Sequence, residues 1–311
     1  MNDNEPIITV IGPTATGKTG VAVRIAAELG GEIVSADSRQ VFRRMDIGSG
    51  KDLSDYQYDG CPIPYHLIDI EEPGVEYNVF RYQQAAYEAM EGIRSRHHRI
   101  VLCGGSGMYV EAVLRGYRLF PVPENEALRA GLEKRSDEEL TAMLASYKSL
   151  HNDTDTSERP RLIRAIEIED YYSKHPELSE RVRPLQSAII GLCGNREHIR
   201  ERITRRLQAR LQEGMVDEVK ALLDEGVPAE RLIRYGLEYR FVTQYLTGEL
   251  HYGDMVSLLN TAIHQFSKRQ MTWFRRMERM GFKIRWVDAE LPEEEKIRQI
   301  YHWLREDGIQ I

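Results

Sequence analysis

Short apolar runs and amphipathic segments alternate along the N-terminal part of the chain. Apolar runs bounded by glycine or polar residues occur at residues 7–12, 32–36, 65–70, 99–103 and 187–192. Such runs are typical of strands buried on both faces of a sheet. Between them, Val21, Ala22, Ile25 and Leu29 repeat at helical spacing, and residues 80–93 form a second amphipathic segment. The alternation predicts an α/β fold with a parallel sheet flanked by helices.

The pattern becomes purely helical between Asn125 and Tyr172, with a polar turn predicted at residues 151–160. We therefore predict a helical insertion at residues 120–184, within a core domain formed by residues 1–119 and 185–311. The second part of the core is largely helical: a helical stretch at residues 197–280, with breaks near 226–228 and 247–253, precedes a last candidate strand, FKIRWV.

The composition is that of a soluble globular protein. The 311 residues are 41% hydrophobic and 29% charged, and no apolar run approaches the length of a membrane span. The N-terminal residues do not resemble a signal peptide, so we expect a cytoplasmic protein. Cys61, Cys103 and Cys193 lack the paired spacing of a zinc site or disulfide framework and are interpreted as reduced packing residues.

Basic residues cluster in two places despite a net charge of -7. One cluster spans residues 196–210 and the other residues 268–285. Either cluster alone is more typical of a solvated helix face than of a binding surface. The net charge argues against a protein that coats nucleic acid through bulk positive charge, but it does not exclude a local basic site.

The segment GPTATGKT matches the G-x-x-x-x-G-K-[ST] phosphate-binding pattern, between the first predicted strand and the first predicted helix. Glycines at both ends let the backbone direct N–H groups at phosphate oxygens, and the helix N-terminus adds partial positive charge. Lys18 supplies a full charge, and Thr19 can place its hydroxyl on Mg²⁺. We predict that a diphosphate or triphosphate binds to Gly12, Pro13, Thr14, Ala15, Thr16, Gly17, Lys18 and Thr19.

Asp37 and Ser38 follow the second predicted strand, where an open parallel sheet places its ligands. They belong to one of six ordered motifs: GPTATGKT, EIVSADSRQV, MDIGSGK, YHLID, GGSGMYV and KRQMTWFR. In this order the motifs resemble the tRNA dimethylallyltransferase family along nearly the whole chain. The resemblance implies transfer of a dimethylallyl group from its diphosphate to the exocyclic amine of the adenosine immediately 3′ of the anticodon.

The resemblance also implies the roles of the catalytic residues. Lys18, Arg206 and a Mg²⁺ ion held by Thr19 would stabilise the negative charge that grows on the departing diphosphate. Asp37 matches the general base of the family, which would take a proton from a weakly nucleophilic amine. An isolated aspartate here would instead be interpreted as a helix cap or a hydrogen-bond acceptor at a strand end.

The tRNA contacts are implied in the same way. The target adenine must leave its base stack, which costs least in a single-stranded loop. We expect the insertion to clamp the anticodon stem-loop of the tRNA, and we expect the enzyme to be a monomer. For Leu162 and Ile163, a shared helical face with Ile166 favours core packing, and Trp273 and Phe274 are likewise more typical of a core. The matching positions are Asp37, Ser38, Arg39, Gln40, Ser106, Arg129, Arg161, Leu162, Ile163, Arg164, Ala165, Lys268, Arg269, Gln270, Met271 and Thr272.

Three segments depart from the pattern of the family. IGSGKDL begins at Ile47 where relatives often have IGTAKP, and Arg210 stands where they often have a methionine. YGLEY, from Tyr235, replaces the usual IGYKE. We interpret these differences as affecting the tRNA-facing loops more than the reaction.

Two other functions compete with this interpretation. In a small-molecule or nucleoside kinase, the same loop would bind ATP and Asp37 would deprotonate an acceptor hydroxyl. However, only the ambiguous Asp69 suits a Walker-B position, and no arginine-rich lid is evident. In a P-loop switch or tRNA-binding module without chemistry, the set of Lys18, Thr19 and Asp37 would be superfluous.

Overall fold

The computed structural model describes residues 6–117, 119–147, 158–176 and 184–311. The chain divides into two compact units, one of Met1–Gly116 with Pro184–Ile311 and one of Tyr117–Arg183. The first unit contains β1 (Ile7–Ile11), α1 (Lys18–Leu29), β2 (Gly31–Ser35), a 3₁₀ turn (Leu53–Asp55), β3 (Gln57–Tyr58), β4 (Cys61–Pro62), β5 (Tyr65–His66), α2 (Val79–Ser95), β6 (Arg99–Gly104), α3 (Gly107–Arg115), β7 (Ser187–Cys193), α7 (Arg196–Gln212), α8 (Met215–Asp224), α9 (Ala229–Tyr235), α10 (Leu237–Leu246), α11 (Tyr252–Arg279), β8 (Ile284–Asp288) and α12 (Glu293–Glu306). The second contains α4 (Glu126–Leu132), α5 (Asp137–Tyr147) and α6 (Arg159–Lys174).

The first unit is built on a six-stranded sheet of order β5-β2-β6-β1-β7-β8, in which every pairing is parallel. All residues of β1 and β2 are buried, as the continuous apolar runs indicated. The predicted α/β class with a parallel sheet is confirmed. Because Ile11 pairs with Gly104 and Ser35 with Cys103, the loops that follow β1, β2 and β6 leave the sheet at one edge. Ligands of open parallel sheets bind at this edge.

Hydrophobic layers cover both faces of the sheet. On one face, Ile25 of α1 packs in a cluster with Ile300 of α12. On the other face, Tyr82 of α2, Val110 of α3 and Phe274 of α11 share a second cluster. The predicted core position of Phe274 is therefore confirmed, and the C-terminal part of α11 belongs to the layer that covers this face of the sheet.

A third cluster joins the helices after β7 to the segment that follows β2. Val41 and Phe42 pack there with Leu207 of α7, Tyr239 of α10 and Leu259 of α11. The chain therefore passes from the sheet edge directly into a helical layer. This packing brings α7, α10 and α11 alongside the loops at the carboxyl edge of the sheet.

Several element boundaries differ from the sequence-based expectation. The strand predicted at residues 65–70 is wrong beyond Tyr65–His66, because Leu67 and Asp69 adopt left-handed backbone angles (φ 62° and 55°). The helical stretch after β7 has the two predicted breaks and two further ones, at residues 213–214 and at Gly236. Of the predicted turn at 151–160, residues 151–157 lie outside the described residues, and α6 already begins at residue 159.

The three cysteines are free thiols. Cys103 is buried in β6 and Cys193 is half-buried at the end of β7. The packing interpretation was wrong for Cys61, which is exposed on the short strand β4.

The unit of residues 117–183 has its own core between α4, α5 and α6. The core interpretation of Leu162, Ile163 and Ile166 is confirmed, since all three are buried, and Ala165 is buried with them. Glu167 is only 1% exposed. Burial opposes its charge, but Arg129, the Asn125 amide and Arg164 hold the pKa of Glu167 at about 2. Within the described part of the chain, no helix is both long and apolar enough to cross a membrane.

Candidate active site

The phosphate-binding sequence forms the turn between β1 and α1. A Cβ atom at Gly12 would lie 2.8 Å from the Leu192 carbonyl oxygen, so only glycine fits against β7. Gly17 precedes α1 in the left-handed conformation (φ 77°), which glycine adopts without strain. The Thr16 hydroxyl donates to the Pro13 carbonyl at 2.8 Å and closes the turn. Lys18 and Thr19 then open the helix, with its partial positive charge beneath them.

Gln270 of α11 fixes this turn from the side. Its Oε1 accepts a hydrogen bond from the Thr14 amide at 2.9 Å, and its Nε2 donates to the Gly105 carbonyl at 2.9 Å. A side chain at Gly105 would overlap Gln270 Nε2, and one at Gly107 would overlap the ring of Trp273. Gly105 and Gly107 of GGSGMYV therefore let α11 approach the loop after β6. The side chain of Gln270, 6% exposed, holds two loops of the sheet edge together.

Asp37 is fixed in the loop after β2. Its Oδ1 accepts from the Arg39 amide at 3.0 Å, in a short local turn. The neighbouring Ser38 amide donates to Ser106 Oγ at 3.1 Å, and the Ser106 amide donates to the Ala36 carbonyl at 3.1 Å. These bonds tie the loop after β2 to the loop after β6, beside the phosphate turn.

The three loops and the helical layer enclose a cavity of about 60 Å³. Its charged lining comprises four cationic side chains, Lys18, Arg39, Arg206 and Arg210, and two carboxylates, Asp37 and Glu238. The other lining residues are Thr14, Thr19, Gln40, Ser49, Gly50, Tyr56, Cys103, Gly104, Leu237, Ile263, Phe266 and Gln270. The excess of positive charge suits an anion with several negative charges.

The electrostatics of the cavity reflect its low exposure to water. Burial lowers the pKa of Lys18, Arg206 and Arg39 lower it further, and Cys103 and Asp37 oppose them. A bound anion would favour the charged ammonium. Burial raises the pKa of the Cys103 thiol to about 12, so that it stays protonated at neutral pH and is not a nucleophile.

Many of the residues predicted from the sequence meet at this cavity. Thr14, Lys18, Thr19, Asp37, Arg39, Gln40, Arg206 and Gln270 all line it. Gln270 was assigned to tRNA, but the structure buries it between the two loops. Arg39 was also assigned to tRNA; its guanidinium pairs with Glu238 inside the cavity.

Other predicted residues lie elsewhere. Lys268, Met271 and Thr272 of α11 line a depression of about 940 Å³ on the outer side of the phosphate turn, together with Arg200 and Arg275. Arg129, Arg161 and Arg164 belong to the unit of residues 117–183. In that unit Leu162, Ile163 and Ala165 are buried, so their side chains are not surface groups.

The sequence interpretation did not include Glu238, Tyr56 or Phe266, which also line the cavity. The signal for Glu238 was its position in YGLEY, a segment already noted as unusual. A carboxylate in an apolar helical pattern next to a tyrosine indicates a buried ion pair, and Glu238 is indeed paired with Arg39.

Comparison with known proteins agrees with this site. A family model described as IPP transferase matches residues 40–277, and one described as isopentenyl transferase matches residues 6–60. The chain is 58% identical over 301 residues to "tRNA dimethylallyltransferase 2" of Bacteroides fragilis, covering 96% of this chain and 98% of that protein. It is 57% identical over 292 residues to "tRNA dimethylallyltransferase 1" of Parabacteroides distasonis, with coverages of 94% and 95%.

A solved structure shows the same fold. The tRNA isopentenylpyrophosphate transferase of Bacillus halodurans superposes with a TM-score of 0.71 at 30% identity, covering 97% of this chain and 96% of that one. The family model spans most of the chain, and the relatives match over nearly their whole length. The resemblance seen in the motifs is confirmed: this chain belongs to the tRNA dimethylallyltransferase family and is a transferase.

Proposed function

We propose that this protein transfers the dimethylallyl group of dimethylallyl diphosphate to the exocyclic amine of the adenosine immediately 3′ of the anticodon. The acceptors would be tRNAs that read codons beginning with U, and the product would be isopentenyladenosine. The observation that carries the proposal is that the phosphate turn, Asp37 and an excess of cationic side chains line one cavity. Family membership supplies the reaction class.

The cationic side of the cavity suits the leaving group. As the allylic C–O bond breaks, its electron pair stays on the diphosphate oxygen, and negative charge grows there. Lys18, Arg206 and the amides at the start of α1 are positioned before the reaction begins. They bind this charge more strongly in the transition state than in the ground state, which is what lowers the barrier.

Asp37 would receive the proton. The adenine amine forms a bond to the allylic carbon and becomes cationic, so that a nearby carboxylate can take one of its protons. The Arg39 amide occupies Asp37 Oδ1 and orients the carboxylate beside the phosphate turn. The other carboxylate lining the cavity, Glu238, is committed to its ion pair with Arg39.

The oxygen donors at the cavity suit Mg²⁺. The Thr19 hydroxyl and the Asp37 carboxylate are hard ligands, and both residues line the cavity. The described residues include no group of three His, Cys, Asp or Glu that could cage a metal ion. Thr19 would therefore hold Mg²⁺ together with substrate oxygens and water, and the bound ion would neutralise diphosphate charge.

Basic side chains outside the cavity would grip the anticodon stem-loop. Lys268 and Arg269 are exposed on α11, and Arg161 is exposed on α6. Contacts of this kind with phosphates position a nucleic acid without reading its sequence. We assign the unit of residues 117–183 to clamping the tRNA. The monomeric state and the cytoplasmic location stay predictions.

A two-substrate assay tests the proposal against the kinase alternative, which the comparisons do not favour. Purified protein is given either dimethylallyl diphosphate with an unmodified tRNA transcript, or ATP with small hydroxyl acceptors. Mass spectrometry of the nucleosides should show isopentenyladenosine in the first arm only. Phosphoryl transfer in the second arm without prenylation in the first would overturn the proposal.

A further inference from the structure

The three segments that depart from the family pattern meet at one point. Gly50 of IGSGKDL, Arg210 of α7 and Glu238 of YGLEY all line the cavity. A Cβ atom at Gly50 would overlap Arg210 Nη2 and would lie 2.6 Å from Arg206 Nη2. Gly50 also has a left-handed backbone (φ 71°). The absence of a side chain at residue 50 therefore creates the space that the Arg210 guanidinium fills.

The loop that carries Gly50 is rigidly held. Glu218 of α8 accepts hydrogen bonds from the amides of Asp46, Ile47 and Gly48 at 2.8, 2.7 and 3.0 Å. The hydroxyl of Tyr239 donates to the same carboxylate at 2.9 Å. The loop that carries Gly50 is thus anchored to α8 and α10.

The positive charge of Arg210 is buried with few hydrogen-bond or ion-pair partners. Its side chain is 12% exposed, and Nη2 is buried without a hydrogen-bond partner in the structure. Nη1 lies 3.9 Å from Glu238 Oε1, beyond hydrogen-bond distance, because Glu238 is engaged with Arg39. Burial and the neighbouring Arg206 lower the pKa of Arg210 to about 10, and Glu238 opposes them. A buried cation beside a second cation calls for an anion.

We infer that Arg210 is a second arginine contact for the diphosphate of the prenyl donor, beside Arg206, with Gly50 and Glu238 as the residues that position it. The inference rests on the proposed function. Two planar guanidinium groups that line the same cavity as Lys18 can bind separate oxygens of one diphosphate in a forked geometry.

Binding of magnesium inorganic diphosphate to the full-length protein, measured by isothermal titration calorimetry without tRNA, tests the inference. Arg210→Met should raise the dissociation constant roughly 10- to 100-fold, the worth of one charge-assisted contact. Arg210→Lys keeps the charge and loses the fork, so its affinity should fall between the two. Arg240→Met, which removes an exposed arginine of α10, is the matched control and should bind as the wild type does.

Gly50→Ala tests the positioning, and its effect in the wild-type background can be measured without a folded Arg210→Met protein. The new methyl group should displace the guanidinium and weaken diphosphate binding at least several-fold in the wild-type background. In Arg210→Met the effect should be smaller, since only the contact with Arg206 Nη2, 2.6 Å from the added Cβ atom, remains. The backbone strain at residue 50 is the same in both backgrounds and cancels from this comparison.

The outcomes separate the inference from the proposed function. Wild-type protein that neither binds magnesium diphosphate nor prenylates tRNA would overturn both. Wild-type protein that does both, with Arg210→Met binding equally well, would overturn the inference alone. If Arg210→Lys binds magnesium diphosphate as tightly as the wild type, long-range charge acts without the forked contact, which contradicts the inference. Equal effects of Gly50→Ala in both backgrounds would refute the positioning of the Arg210 guanidinium by Gly50.

Discussion

Replacing Gln270 by glutamate tests how the phosphate turn is held in place. The change is nearly isosteric, but an ionised carboxylate has no donor for the Gly105 carbonyl. It would place two acceptors 2.9 Å apart where the amide now donates. The bond to the Thr14 amide, also 2.9 Å, would survive, because a carboxylate oxygen still accepts it.

The expected cost follows from these two contacts. Losing one buried hydrogen bond and leaving a carbonyl facing a carboxylate amounts to about 2–4 kcal/mol. Where this free energy is needed to return the displaced phosphate turn to its binding position, the dissociation constant of magnesium diphosphate should rise roughly 30- to 1,000-fold. Gln270→Met loses both bonds without adding charge, and should cost about 1–3 kcal/mol.

Protonation provides an internal rescue. Burial should raise the pKa of the introduced carboxyl group, and its neutral form can donate to Gly105 and accept from Thr14 as glutamine does. The ratio of variant to wild-type affinity should therefore recover as the pH falls from about 8 to about 5.5, whereas Gln270→Met should show no recovery. Calorimetric titration at each pH measures the ratio, and Gln265→Glu, on the exposed side of the same helix, controls for added charge. Unchanged affinity across this pH range would refute the clamp.

Four further perturbations test the rest of the site and the fold. Asp37→Asn should keep the affinities for tRNA and diphosphate within a small factor of the wild-type values and lower the single-turnover transfer rate by about 10²- to 10⁴-fold. A rate near that of the wild type, or a loss due wholly to weaker tRNA binding, would contradict the role of Asp37 as the base. Thr19→Ala should reduce turnover at least several-fold at limiting Mg²⁺, and unchanged turnover there would remove Thr19 from the metal site. Arg161→Ala should weaken tRNA binding and flatten the log-log salt dependence by roughly 0.7 to 0.9, whereas an unchanged slope means that it contacts no phosphate. Arg96 is the main cause that lowers the pKa of Glu32 from 4.5 to about 2; burial opposes the shift, His66 and His98 add to it, and the ionised form of Glu32 therefore stabilises the fold. In urea unfolding, Glu32→Gln should lower the free energy of unfolding by its full amount above pH 4.5, and the difference from the wild type should vanish as the pH falls through about 2. A difference independent of pH would contradict this origin.

Local patterns were sufficient to predict the sheet and the phosphate turn. Local sequence features predict the strand, loop and helix from Ile7 to Leu29: a buried apolar run, glycines where the backbone must turn, and helical periodicity. The prediction of a strand over residues 65–70 was wrong beyond His66, because the apolar composition suits a strand whether or not a neighbouring strand continues beside it. Among the described residues its sheet neighbour is β2, which pairs with two of its residues.

The roles of Gln270 and Glu238 depend on tertiary packing, and the motifs considered one at a time did not predict them. Nothing in KRQMTWFR shows that its third residue points into the sheet edge while Lys268, Arg269 and Thr272 are exposed. That direction is set by the clusters that hold α11 against α3 and the sheet. One part of the signal was nevertheless present. Two glycines of GGSGMYV, Gly105 and Gly107, are explained by overlap with Gln270 and Trp273, so these two motifs are spatial partners. A sequence interpretation that pairs the motifs would have placed Gln270 beside the loop after β6.

The same helix relates the anion site to the proposed tRNA-facing surface. In an α-helix successive side chains are about 100° apart, so adjacent residues of one short motif must point in different directions. In α11, Gln270 and Phe274 are buried, whereas Lys268, Arg269 and Thr272 are exposed. The spacing between the phosphate turn and these exposed groups is therefore fixed by a rigid helix rather than by loops. A prenyl donor and an acceptor base must meet at bonding distance, and a helix that clamps the phosphate turn and also carries the proposed tRNA contacts would help to set that distance.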